Sequence, residues 1–65
     1  MATVTVRWAK NTAQALNEDT HQWDDVEVVQ DGAEVTLWRV LPDGTDRRVV
    51  AAFSRYDTAV FVVDE

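Results

Sequence analysis

From Thr3 to Trp8 the chain alternates strictly. Val4, Val6 and Trp8 fall on one side; Thr3, Thr5 and Arg7 fall on the other. A period of two marks a strand with one dry face. Between Lys10 and Asp24 the alternation is lost. Asn11 stands three residues before Gln14, the spacing of a capping box with Asn in place of Ser or Thr. Ala13 and Leu16, with Thr20 and Trp23 beyond them, share one helical face. The spacing predicts a short helix over 12–18 and then an acidic loop; a long ordered loop is the competing reading.

Val26–Gln30 and Ala33–Leu41 flank Asp31-Gly32. Asp-Gly between two alternating runs signals a hairpin, because a type I′ turn needs positive φ at both centres. A turn on that pair sets Val28 against Val35 and Val26 against Leu37, so four apolar side chains share a face. Pro42-Asp43-Gly44 predicts a second turn, type I with a bulge. Leu37 then faces Val49, Val35 faces Ala51, and Trp38 lies across from Arg48 for a cation–π contact. A two-residue loop here brings Val50 and Ala52 to Val35 instead. Polar Ser54–Asp57 turns the chain into a last strand, Thr58–Val63, apolar on both sides.

The order is strand, short helix, then a four-stranded antiparallel meander. This is an α+β single domain over 1–65, mostly β, curled as a sheet or closed into a small SH3-like roll. One face collects Val26, Val28, Val35, Leu37, Val49, Ala51, Phe53, Val60 and Val62. The reverse collects Trp38, Val40, Val50, Ala52, Ala59, Phe61 and Val63. Antiparallel sheets with one wet face read polar at alternate positions, and the last two strands do not. A short helix covers only part of such a sheet. Trp38, Val40, Val50, Phe61 and Val63 are therefore the candidate partner-binding residues.

Length and composition narrow the chemistry. The chain has 65 residues and no cysteine, which excludes a disulfide framework and a cysteine zinc site. A Rossmann unit or a TIM barrel needs more chain. A domain this small buries only about 60% of its unfolded surface, so a partner chain is a common source of extra stability. The net charge of -6 disfavours a duplex or an anionic membrane and favours basic protein surfaces. No apolar run reaches the roughly 20 residues of a membrane helix. Met1–Lys10 lacks the charged start and apolar centre of a signal peptide, which makes the cytoplasm the expected compartment. Isoleucine is absent and arginine outnumbers lysine five to one, a bias that GC-rich coding or a high-salt cytoplasm produces.

The polar residues offer few constellations. His21 sits among Glu18, Asp19, Asp24 and Asp25 without a recognised ligand spacing, so no metal and no cofactor are expected. Those four acids form a candidate acidic patch that a basic partner segment could meet. For a nucleophile triad only one serine, Ser54, and one histidine, His21, are available, and both glycines are consumed by turns, so catalysis is not expected. Arg47, Arg48 and Arg55 with Trp38 and Tyr56 are the one basic-aromatic group. They raise the alternative of a small barrel that binds single-stranded nucleic acid, against the negative net charge. The favoured expectation is a small acidic non-enzymatic interaction module that pairs with itself or with another protein. A phage-type accessory protein binding a host factor is of this size.

Overall fold

Seven elements follow one another in the computed structural model, which describes all 65 residues. They are β1 (Ala2–Trp8), α1 (Lys10–Leu16), β2 (Thr20–Asp31), β3 (Glu34–Val40), β4 (Arg47–Ser54), a 3-10 turn (Arg55–Asp57) and β5 (Thr58–Asp64). The fold is α+β and mostly β, with every strand pair antiparallel. The strand order is β4-β3-β2-β1-β5. A four-stranded meander is present, but it runs from β1 to β4 rather than through the four strands after the helix: β5 does not pair with β4 and returns to the far side of β1. The twelve-residue β2 pairs with β1 through its first half and with β3 through its second. One strand thus serves both halves of an open five-stranded sheet, which does not close into a barrel because β4 and β5 do not pair.

β1 has the alternation its sequence predicts. Val4 and Val6 are fully buried, and Trp8 nearly so. With Val26, Val35 and Leu37 they make the core, against which Ala13, Trp23, Val28, Val50, Ala51, Phe53 and Phe61 pack. Trp8 and Phe53 meet edge-on at 5.5 Å, and Trp23 stacks on Phe53 at 5.6 Å. Such pairs contribute about 0.5–1.5 kcal/mol each beyond burial.

The helix begins two residues earlier than the capping box predicts. Ala9 occupies the cap position with no side-chain bond, and Asn11 lies inside the helix. The chain is pinned at this point: Trp8 N–H donates to Asp19 C=O and Ala9 N–H to Asp57 C=O. Asn17, at φ 55, ends the helix in the left-handed conformation that Asn tolerates. Leu16 is exposed rather than set on the sheet, and only Ala13 reaches the core.

Thr20–Asp24 belongs to β2, not to a loop. His21 and Trp23 are half-buried, while Thr20, Gln22 and Asp24 are exposed. A bulge then shifts the phase: Val4 pairs with Trp23, but Ala2 pairs with Val26. Asp25 carries a φ of 57 there. Arg39 donates to the Asp24 carbonyl at 2.7 Å, giving that carbonyl a partner where the ladder is broken.

Both hairpin registers differ in detail from expectation. The first turn sits on Gly32-Ala33, with positive φ at Gly32 alone, as in a type II′ turn. Val28 therefore pairs with Leu37 rather than Val35. The pairing slides by two residues, so every side chain keeps its face. In the second hairpin Leu41–Asp46 is closed by Leu41 N–H to Asp46 C=O at 2.8 Å. Trp38 pairs with Val49, then Leu37 with Ala51, which leaves Val50 as a bulged residue. Ala51 and Phe53 face the core as predicted. Val49 does not, because the bulge reverses its phase. Val60 and Val62 also face outward: β5 lies on β1, with Phe61 opposite Val6 and Val63 opposite Val4.

Candidate protein-binding face

The outer side of β2, β3 and β4 is built in rows. Val29, Thr36 and Ala52 stand abreast, as do Glu27, Trp38 and Val49, and Val40 stands beside Arg47. Val29 and Val40 are each 42% exposed and Val49 is 47% exposed. The helix packs against β1 and leaves these strands bare. The Arg47 guanidinium lies 4.3 Å from the Trp38 ring centre and donates to Glu27 Oε1 at 2.8 Å. A half-exposed pair of this kind contributes little to stability, but it fixes the Trp38 ring and gives the apolar rows a charged border.

This geometry divides the five residues the sequence groups together. Trp38 and Val40 lie on the outer face. Val50 and Phe61 pack against the core, Val50 through its bulge and Phe61 through the pairing of β5 with β1. Val63 lines a separate open groove of about 530 Å³ with Met1, Ala2, Val26 and Val28. Val29 and Val49 complete the outer face in their stead. Val29 was readable from β2 alternation once Val28 is inward. Val49 was not, since only the bulge turns it outward.

The acidic residues form two pairs at opposite ends of the first half of β2. Glu18 and Asp19 precede the strand; Asp24 and Asp25 form the bulge. Glu18 bridges two groups. Its Oε1 accepts from His21 Nδ1 at 2.6 Å, and its Oε2 accepts from Trp8 Nε1 at 3.1 Å. These bonds, that from His21 first, hold the Glu18 carboxyl below its ordinary value of 4.5. The His21 ring also lies 4.4 Å from Trp23. No three His, Asp or Glu side chains converge as metal ligands do. Ser54 Oγ accepts from Tyr56 N–H, so Ser54 and His21 serve separate local networks.

The basic-aromatic group is also dispersed. Arg47 covers the face of Trp38 that a base would stack on. Tyr56 stands on the 3-10 turn, with the length of β4 between it and Arg47 and Arg48. Arg55 lies over Phe61 at 4.7 Å, where it shields the core edge. No helix is long and apolar enough to cross a membrane. Comparison with protein-family models, curated proteins and solved structures finds no match to this chain.

Proposed function

We propose that the protein is a small non-enzymatic interaction module that docks another protein on the outer face of β2–β4. The observation that carries this reading is the exposed set of Val29, Val40 and Val49 around the half-buried Trp38, whose ring is held by Arg47. Exposed apolar groups around one ordered aromatic ring are the usual make-up of a contact centre. Charge defines the partner's chemistry. Glu27 and Arg47 offset each other at the border of the face, but the Asp24-Asp25 bulge precedes it on β2 and the whole chain carries -6. A partner with an apolar anchor set in a basic surface fits both features. A cytoplasmic setting belongs to the same proposal.

The test is a pair of surface variants, Val40→Glu and Val49→Glu, both at half-exposed sites that leave the core intact. A basic protein retained by the wild-type chain should be released by the double variant, with association slowing as salt rises. Retention by the double variant at unchanged melting temperature overturns the reading. Salt-sensitive binding of labelled single-stranded DNA, abolished by Arg47→Ala, would favour a nucleic-acid module instead.

A further inference from the structure

The sheet has two edges, and they are built differently. β4 opens with Arg47-Arg48, is interrupted by the Val50 bulge, and ends where Arg55 N–H donates to Ala33 C=O at 2.7 Å. Charges and bulges are the usual means of keeping an edge from recruiting another strand. β5 shares the bulge, at Ala59, but not the charge. Thr58–Val63 contains no charge, no proline and no glycine. After one irregularity at Ala59, its ladder with β1 runs regularly from Val60 to Asp64. Its other side pairs with nothing: none of the backbone hydrogen bonds outside the ladders reaches Ala59–Asp64. Val62 is 50% exposed, and Val60 and Val63 are also exposed.

We propose that β5 pairs antiparallel with β5 of a second copy, joining two sheets across a two-fold axis at Phe61. The occupant follows from the strand itself. Its free main-chain groups call for another strand, and an antiparallel β5 is self-complementary. Val60 then stands across from Val62 of the second copy and Val62 across from its Val60, giving two adjacent valine pairs on the outer side. Asp64 and Glu65 of the two copies end up at opposite ends of the pair, whereas a parallel arrangement stacks them on each other. Pairing of β5 with β4 of a neighbour would build a ring or filament, and the Arg47-Arg48 start and Val50 bulge oppose it. This surface is distinct from the β2–β4 face, so the two proposals stand or fall separately.

Sedimentation equilibrium of the intact chain over micromolar concentrations, at low and high salt, tests the pairing. The proposal expects a monomer–dimer equilibrium that tightens as salt screens two chains of -6. Val62→Lys, at an exposed site, should weaken the dimer more than about tenfold. Leu16→Lys, the same change at an exposed site on the helix, should leave it unaltered. Amide exchange in Val60–Asp64 should slow as concentration rises, which reads the pairing directly in the wild-type chain. A monomer at every salt concentration, a ring or larger species, or a dimer indifferent to Val62→Lys overturns it. Salt strengthens this contact and weakens docking to a basic partner, so the two are told apart in one series.

Discussion

A single carboxylate joins three elements at one end of the sheet. Glu18, just after the helix, accepts from Trp8 at the end of β1 and from His21 at the start of β2. The folded carboxyl is held below 4.5, so ionisation is easier folded than unfolded. The stabilisation it gives is whole above about pH 4.5 and drains away as pH falls through the lower folded value. Glu18→Gln keeps the shape and removes the charge. Its melting temperature should lie below that of the wild type at neutral pH. The gap should narrow steadily as melts are taken below pH 4.5, and a gap independent of pH would show that the ionisation of Glu18 is not what stabilises the fold. Asp43 titrates in the same direction through its bond from Thr45 N–H, so the comparison has to be between these two proteins rather than on one acid limb.

At the scale of elements, bulges decide which residues face the core. β2 turns from one half of the sheet to the other at Asp25, whose φ of 57 is costly for most side chains. Asp25→Gly should be neutral or slightly stabilising, and Asp25→Val should cost about 1–2 kcal/mol in urea denaturation. Equal effects of the two would remove backbone strain from the account. The same bulge explains what the sequence could and could not disclose. β1 was legible because Val and Thr alternate with full contrast. The start of β2 was not, because His21 and Trp23 lie out of phase with Val26 and Val28, and an even alternation cannot be drawn through them. In β4 the run Val49-Val50-Ala51-Ala52 has no polar contrast, so nothing in it marks Val50 as the extra residue. The candidate face was half legible for that reason: Trp38 and Val40 lie where alternation puts them, and Val50 and Phe61 were assigned through neighbours they do not have.

At the scale of the molecule, only seven residues are buried, so there is little interior to divide into independent parts. The fully buried Val4 and Val6 belong to one ladder of β2, and Val35 and Leu37 to the strand on its other ladder. Because both ladders hang on the same twelve residues, neither half of the sheet has a scaffold that survives the loss of the other. Opening is therefore expected to be all-or-none. Native-state hydrogen exchange should return one free energy for the amides of Val4, Val6, Val35 and Leu37, and they should move together as denaturant is added. A lasting difference beyond about 1 kcal/mol between the β1 and β3 amides would mean that a half-molecule can stand alone. Short of that, truncating this protein to a smaller working fragment should yield an unfolded peptide wherever the cut falls in β2.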